Sequence, residues 1–437
     1  MLLLLSLALA QEAPDVLADS AGAIDIIAAP SGAVTTDLFY RGMGAPTIVR
    51  DGDLFVLFFE TQLHPDSFDQ LSADVSACGN GRVWGIGRAT STDGITWEVD
   101  ENLVVEPAGA GAYDACVVAQ PEVTFNGERY DIWYKAEQEQ GLCVDGENPR
   151  TWGCDTQVGV GHATSTDGIT WERSDLPAIN IEGSFGYPRV TYVDGQWMLL
   201  LSVLPDFFAY TAAEPEGPWT PNTFPVVSPG DVEWARAEVI RPSLLCNTLV
   251  DDDGNDTYGY SLWTMGRATQ ETVDINLGRY TSADGLDWSV ETANPVLTWD
   301  ATTGDDWRAV DVLRTDTGDI LYYSRRDLNE TPVKRRIGVA WTTPTNDWSS
   351  TTFFDNLCPV PEFDDPEGTE APEGTEAPEG TGDTSDPIPV DPCEEDPESD
   401  ECEEDTKCGC QSSPSPMSGL ALGVALFGLL RTRRRRG

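Results

Sequence analysis

Between residues 38 and 354 the apolar positions occur in short stretches rather than at helical spacing. Each stretch meets a glycine-centred turn, and an aromatic-rich stretch follows the turn. Asp-Gly or Asn-Gly between apolar stretches is typical of a β-hairpin, because these residues accept the positive φ of a tight turn. The pattern predicts five strand pairs, whose first strands contain 46–49, 121–125, 188–192, 242–245 and 311–313.

A second motif follows each predicted hairpin. The decapeptide Ala89–Glu98 is repeated residue for residue at Ala163–Glu172, and looser copies lie at Thr281–Trp288, Tyr210–Trp219 and Trp341–Trp348. An Asp-Gly turn within the motif adds two strands to each repeat. We expect the closing tryptophans to pack between repeats; the alternative is that they contact a ligand. These are Trp97, Trp171, Trp219, Trp288 and Trp348.

The repeats predict an all-β fold, a five-bladed β-propeller of four-stranded antiparallel blades over 38–357. One blade cannot bury both of its faces alone, but neighbouring blades can. The first strand of each blade would line a central channel, and the residues just before it would ring one mouth of that channel. We therefore expect the chemistry at this mouth.

The ends of the chain differ in composition from the propeller. Residues 1–10 are apolar and end on Ala-Leu-Ala, which is typical of a secretory signal peptide; a buried strand is the alternative. Residues 358–407 are acidic and rich in Pro and Gly, which predicts a disordered linker. Residues 408–437 hold Cys-Gly-Cys, an apolar stretch and a terminal Arg cluster. We expect a short hydrophobic helix there that contacts the membrane before processing.

Charge and cysteine content restrict the partners and the compartment. Asp+Glu number 75 against 26 Lys+Arg, a formal net charge of −49, which excludes nucleic acid because phosphate binding needs clustered Lys and Arg. The ten cysteines fit an exported protein, because disulfides form in oxidising compartments. We expect a monomer that lies at the cell surface or outer membrane or is released to the medium. Among the propeller cysteines we favour a Cys143–Cys154 disulfide, because both lie in one long loop.

We predict no metal site and no cofactor. The sequence holds no Cys-x-x-Cys, and of its two histidines His162 lies in a repeated strand, which suggests a structural role. The segment Asp251–Asp256 is rich in oxygen ligands that Ca²⁺ accepts, but it lacks the downstream bidentate Glu of an EF-hand. A solvated hairpin turn is the favoured interpretation.

The repeats resemble the five-bladed propellers of glycoside hydrolase families 43 and 32 and their sugar-hydrolase-like relatives. The shared features are the Ser-x-Asp-Gly-x-x-Trp repeats, the proline in the first strands and the aromatic second strands. The resemblance implies a carbohydrate substrate or ligand, with an Asp base, a second Asp that tunes pKa and a Glu acid. The residues at these positions here are Ala45, Gln120 and Gly186. Residues 408–437 resemble the myxobacterial C-terminal sorting signal, which implies a processed surface protein.

Glycoside hydrolysis needs two carboxylates that face each other across the sugar. We predict Glu238 and Asp114 as this acid/base pair, since both precede a first strand near the mouth. The alternative is structural, with Asp114 capping its loop and Glu238 pairing with Arg241. Further carboxylates, aromatic residues and arginines near the mouth are candidate substrate-binding residues: Tyr113, Glu182, Trp234, Arg236, Arg241, Trp307, Arg308 and Asp311. Glu122 is another carboxylate that could reach the mouth, and for each of these residues the alternative is a structural hydrogen bond or salt bridge. Glycan binding without turnover and a protein-interaction role are the competing functions.

Overall fold

The computed structural model describes residues 24–27, 42–78, 83–138, 158–181, 185–193, 195–230, 232–250, 256–269, 275–291, 295, 305–327, 335–341, 343, 347–349 and 351–354. For some of these, 305–308 among them, only the backbone is described. The chain divides after Asp364, and every described residue lies in the first part. The predicted signal peptide, the Cys143–Cys154 pair, Glu182, most of the Asp251–Asp256 turn and the C-terminal segments lie outside the described residues.

The described chain is all-β, as predicted, with short 3-10 helices at Pro65–Gln70, Ser76–Cys78 and Glu233–Ala235. Antiparallel pairing of consecutive strands forms units numbered in chain order. Strand β1 is Ile24–Ile27. Unit 1 comprises β2 (Met43–Asp51), β3 (Leu54–Gln62), β4 (Trp84–Ser91) and β5 (Glu98–Val99). Unit 2 comprises β6 (Val117–Phe125), β7 (Tyr130–Glu137), β8 (Val158–Ser165), β9 (Glu172–Arg173) and β10 (Ile179–Ile181).

The remaining units repeat this order. Unit 3 comprises β11 (Phe185–Val193), β12 (Gln196–Val203), β13 (Asp206–Ala212) and β14 (Thr220–Pro221). Unit 4 comprises β15 (Glu238–Val250), β16 (Asp256–Arg267), β17 (Asn276–Ser282) and β18 (Trp288–Val290). Unit 5 comprises β19 (Asp305–Thr315), β20 (Gly318–Asp327), β21 (Arg335–Trp341) and β22 (Phe353–Phe354), and β1 pairs with β21.

The units form a closed ring around the first strands. Strand β2 contacts β6, β6 contacts β11, β11 contacts β15, β15 contacts β19, and β19 returns to β2. The apolar core is correspondingly divided into five clusters. Four of them join two neighbouring units, and the fifth joins units 5 and 1 and also includes the start of β6 in unit 2. Because the first strands surround one axis, residues at an equivalent register position of neighbouring first strands lie beside one another around that axis.

The aromatic second strands lie between two neighbours and are buried on both faces. On β3, Val56 and Phe58 pack in the cluster shared with unit 2, whereas Leu57 and Phe59 pack in the cluster shared with unit 5. Successive side chains of a strand point to opposite faces, so a strand covered on both faces needs apolar residues at consecutive positions. This is why the second strands read as continuous apolar stretches.

The repeated decapeptide forms an internally bonded turn that contacts the preceding unit. Ser91 Oγ accepts hydrogen bonds from the amides of Asp93 (3.2 Å) and Gly94 (2.8 Å). Gly94 has φ +73°, and a Cβ there would lie 2.7 Å from the Tyr322 hydroxyl of unit 5. Trp97 packs edge-on to Tyr322 at 5.9 Å. The same turn recurs at Ser165–Gly168 and Ser282–Gly285, and packing of the tryptophans between units is confirmed.

Two further features bear on export. A disulfide joins Cys78 of unit 1 to Cys116 at the start of unit 2, 38 residues apart. Cys246 is also disulfide-bonded. Disulfides persist in oxidising compartments, so both are compatible with an exported protein. No helix within the described ranges has the length and apolar character needed to cross a membrane.

Candidate functional site

The first strand of every unit shifts register once, close to the mouth. In units 1 to 4 the two unpaired residues are a non-glycine residue and the proline that follows it. The residue before the proline has a positive φ in all four: 42° at Ala45, 53° at Gln120, 54° at Tyr187 and 57° at Arg241. This conformation costs roughly 1–2 kcal/mol for an L-residue. In unit 5 the shift lies between Trp307 and Ala309.

Three of these four residues, Gln120, Tyr187 and Arg241, belong to a chain of hydrogen bonds along the mouth. Arg335 of unit 5 forms an ion pair with Glu60 of unit 1, and Glu60 accepts a hydrogen bond from the amide of Gln120 in unit 2 at 3.2 Å. Gln120 Oε1 accepts from the amide of Tyr187 in unit 3 at 2.9 Å. The Tyr187 hydroxyl accepts from Nε of Arg241 in unit 4 at 3.1 Å. All five units therefore contribute to one chain of polar contacts, which runs around the mouth from Arg335 to Arg241 and which we call the mouth ring.

The three positions that carry carboxylates in the resembled families have a different geometry here. Ala45 is buried, at 2% exposure. Gln120 carries an amide that is used inside the mouth ring. A Cβ at Gly186 would overlap Oε1 of Gln120, so the space for an acid side chain at 186 is filled by Gln120.

A buried charged cluster lies directly beyond the prolines and holds the strained segments in place. The guanidinium of Arg189 donates to the carbonyl oxygens of Pro121 (3.2 Å), Pro188 (3.0 Å) and Pro242 (2.7 Å). It also donates to the Glu122 carboxylate at 3.0 Å. Strained backbone persists only where its surroundings determine it, and one side chain here fixes the carbonyls next to three left-handed residues.

The remaining units join the same cluster through two other side chains. Thr47 Oγ1 of unit 1 donates to Glu122 at 3.3 Å. Asp311 of unit 5 accepts from the amide of Ile48 at 2.8 Å and from Ser243 Oγ of unit 4 at 2.9 Å. Asp311, predicted to bind substrate, is thus a buried group that connects three first strands.

Two carboxylates share one guanidinium in this cluster, and burial raises the pKa of both. Burial raises the pKa of Glu122 to about 8; Arg189 opposes this, and the nearby charge of Asp311 adds to it. Burial likewise raises the pKa of Asp311, against the effect of Arg189. A site in which one cation faces two buried acids favours retention of a proton.

Asp114 lies between units 1 and 2 rather than in the mouth ring. It is 1% exposed, accepts from the Tyr134 hydroxyl at 2.8 Å and pairs with Arg173 at 3.0 Å. Burial raises the pKa of Tyr134 well above its ordinary value, and Asp114 adds to this, so Tyr134 stays a donor. The Tyr113 hydroxyl lies 3.1 Å from that of Tyr134.

Glu238 lies at the start of β15 and pairs with Arg267, not with Arg241. Its contacts and those of Asp114 share no residue. The structure therefore gives these two carboxylates separate surroundings, and their assignment as an acid/base pair stays a prediction.

The other candidates separate into core, surface and mouth positions. Trp234 packs against Gly266 and Gly278 in the cluster between units 3 and 4, at 8% exposure. Arg236 is exposed and pairs with Glu233 at 3.2 Å. Arg241 belongs to the mouth ring. The side chains of Glu182, Trp307 and Arg308 lie outside the described part of the chain.

Several members of the site are not among the residues predicted from the sequence. Glu60 and Arg335 lie on a second and a third strand, where no motif marked them, and Tyr187 was unremarkable as one aromatic residue among many. The available signal is positional: the first strands of units 1 to 4 each contain a proline, and the residue before it is the one that adopts a left-handed conformation. Arg189 follows the same proline in unit 3 and could have been found in the same way.

Within the described residues, no group of three or more His, Cys, Asp or Glu is arranged to hold a metal ion. His162 pairs with Asp131 at 2.9 Å and packs beside Trp133 at 5.2 Å. The imidazole is thus held in the interior by its neighbours, in agreement with the structural role inferred from its place in a repeated strand.

No protein-family model matches the chain, and no curated protein matches it. Among solved structures it resembles a putative glycosidase from Bacteroides thetaiotaomicron, at 15% identity and TM-score 0.50 over 76% of this chain and 99% of the other. It also resembles a GH130-family protein described with glycoside hydrolases that target β-1,2 mannosidic linkages in Candida mannan, at 14% identity and TM-score 0.50, over 74% and 92%. The likeness is one of fold. A family 117 glycoside hydrolase of the marine bacterium Zobellia galactanivorans is similar over 68% and 83%, at 12% identity and TM-score 0.46.

Proposed function

We propose that this protein is an exported carbohydrate-binding propeller whose five units are its blades and whose ligand binds at the mouth ring. The observation that carries the proposal is the set of four left-handed, non-glycine residues at one register position. Strain of this kind clusters at functional sites, because glycine would occupy such positions without cost. The solved structures of similar fold include glycosidases, which supports a carbohydrate ligand.

The side chains of the ring match the chemistry of sugar recognition. Gln120, Tyr187 and Arg241 are partly exposed and provide an amide, an aromatic ring and a guanidinium. Binding sites for small ligands combine apolar and aromatic surface with a few fixed polar groups. Each of these three side chains is held by at least one hydrogen bond, so little rotamer freedom would be lost on binding.

Binding without turnover is favoured over hydrolysis because the three family positions hold Ala45, Gln120 and Gly186. A hydrolytic function is the second candidate. It would use Glu238 as acid and Asp114 as base, the carboxylates that stand at or before the first strands of units 4 and 2; both are buried, at 4% and 1% exposure, so a sugar would have to gain access to them. Proton transfer to a leaving group and activation of water both need such carboxylates within reach of the sugar.

A glycan array and a reducing-sugar assay test the two candidates together. We expect the wild-type chain to bind glycans and to release no reducing sugar, and we expect Tyr187→Gly to lose at least tenfold in affinity without a lower melting temperature. The control is Tyr210→Ala, on the third strand of the same unit, which should keep the wild-type affinity. Release of reducing sugar would favour hydrolysis. Absence of glycan binding by the wild-type chain would refute the proposal and favour a protein-interaction role.

We also propose that residues 408–437 retain the protein at the cell surface until they are processed. The order of cysteine motif, apolar stretch and Arg cluster supports this, since a terminal basic cluster resists export. Deletion of 408–437 should release a protein with unchanged melting temperature into the medium. Continued retention of the truncated chain on cells would count against the proposal.

A further inference from the structure

Arg241 is an exception to the way this acidic chain places its arginines. Most described arginines lie beside a carboxylate, as in the pairs of Arg88 with Asp100, Arg173 with Asp114, Arg189 with Glu122, Arg267 with Glu238, Arg279 with Glu291, Arg314 with Asp319 and Arg335 with Glu60. The described side-chain partners of Arg241 are the Tyr187 hydroxyl and the Met265 sulfur. In a chain with 75 acidic and 26 basic residues, such a cation is unusual.

The only comparable side chain among the arginines whose contacts are fully described is Arg50, and its setting differs. Arg50 donates to the carbonyl oxygens of Asp53 and Gly52, which close the hairpin that follows β2. Its guanidinium also lies over the Phe55 ring at 4.1 Å. Arg50 therefore stabilises a turn at the opposite end of β2 from the mouth ring.

The guanidinium of Arg241 is held in place, but some of its N–H donors have no acceptor among the described residues. Nε donates to Tyr187 at 3.1 Å, the group lies 5.5 Å from the centre of the Tyr187 ring, and Nη1 contacts Met265 Sδ at 3.9 Å. An arginine carries five N–H donors. Both hydrogens of Nη2 and one of Nη1 thus have no protein acceptor among the described residues. The backbone contributes as well, because a left-handed φ of 57° fixes the direction in which the side chain leaves the strand.

A planar guanidinium with free donors on adjacent nitrogens binds an oxyanion through two parallel hydrogen bonds. We propose that the glycan bound at the mouth ring is acidic, and that Arg241 binds its anionic group, a sugar carboxylate or sulfate. This inference rests on the proposed function, since it specifies the ligand of the same site. It explains why Arg241 has no carboxylate of its own: a protein partner would compete with the ligand.

The other described charges near the mouth do not serve this purpose. Glu60 and Arg335 neutralise each other, as do Glu238 and Arg267. Lys135 pairs with Glu137 at 2.7 Å. Among the described charges near the mouth, Arg241 is therefore the cation available to an anionic ligand. Its contact with the ligand would distinguish acidic from neutral sugars.

The test uses ligands that differ only in charge. Calorimetry should give the full-length wild-type chain at least tenfold higher affinity for an oligogalacturonate than for its methyl ester. A sulfated oligosaccharide and its desulfated form make up the second arm, which distinguishes a carboxylate from a sulfate. Arg241→Gln should bind the acidic and neutral forms equally. The matched control Arg314→Gln removes the same charge at the opposite end of a first strand and should keep the preference.

Arg241→Gly provides a variant that the backbone accepts, because glycine adopts a positive φ without cost. It should fold at least as stably as the wild-type chain and should also lose the preference. The inference is overturned if the wild-type chain binds neutral and acidic members of both pairs equally, or if Arg241→Gly keeps the preference. Binding of neutral glycans that Tyr187→Gly abolishes would leave the proposed function intact and refute only this inference. No binding of any glycan would refute both.

Discussion

Replacement of Gly186 by alanine tests whether the mouth ring depends on close packing between units 2 and 3. The added Cβ would overlap Oε1 of Gln120, which accepts from the Tyr187 amide at 2.9 Å. If the Gln120 side chain moves away, the Tyr187 amide loses its acceptor, which costs roughly 1–3 kcal/mol. If the strands separate instead, overpacking costs about the same. We therefore expect Gly186→Ala to lower the free energy of unfolding by about 2 kcal/mol.

The source of that cost can be isolated with a double-mutant cycle measured by urea unfolding. Gln120→Ala removes the side chain that Gly186→Ala would displace, so in this background the second substitution should cost less than about 0.5 kcal/mol. The denaturation midpoints should change at constant slope, since the surface exposed on unfolding is the same. Additive costs in the double variant would show that Gln120 does not fill the space above residue 186, and would refute the reasoning.

Three further predictions concern the pH dependence of stability, the disulfide between Cys78 and Cys116, and catalysis. In the folded chain Glu122 keeps its proton up to about pH 8, whereas in the unfolded chain it ionises near pH 4.5. The free energy of unfolding should therefore fall as the pH rises between these values, by up to about 1.4 kcal/mol per pH unit. Glu122→Gln should flatten this slope in urea midpoints measured at pH 5 and pH 8, and an unchanged slope would contradict the assignment. Replacement of Cys78 and Cys116 by serine removes the disulfide that closes a 38-residue loop and should lower the free energy of unfolding by about 4 kcal/mol, measured by urea unfolding against the wild-type chain. Glu238 and Asp114 are buried in ion pairs with Arg267 and Arg173, so Glu238→Gln and Asp114→Asn should each lower the melting temperature. If the chain hydrolyses glycans, each variant should also lose roughly 100-fold in turnover at a temperature where it is fully folded; full activity would remove that residue from the site.

The sequence predicts the fold well because the fold repeats. Copies of one turn, each with its own hydrogen bonds between Ser91 and Gly94 or their counterparts, mark the strands on both sides wherever they occur. Consecutive apolar positions on second strands such as Leu54–Gln62 indicate burial on two faces. Local patterns of this kind can be recognised in the sequence without knowledge of the tertiary structure.

The site is harder to predict because its members meet only after the ring closes. Glu60 and Arg335 are 275 residues apart and form one ion pair. Asp114 and Glu238 both lie close in sequence to a first strand. Asp114, however, is held by Tyr134 and Arg173, and Glu238 is held by Arg267. Proximity along the chain does not decide which way a carboxylate points when several oppositely charged partners lie within reach.

Closure of the ring of units affects how the protein unfolds. In an open array of repeats the terminal repeats have one free face and can unfold separately. Here β2 contacts β19, and Ile24–Ile27 pairs with β21, so the first and last units each have two neighbours. Loss of any one unit would expose two apolar interfaces at once. Unfolding is therefore expected to be a single cooperative transition with no weaker end at which it could begin.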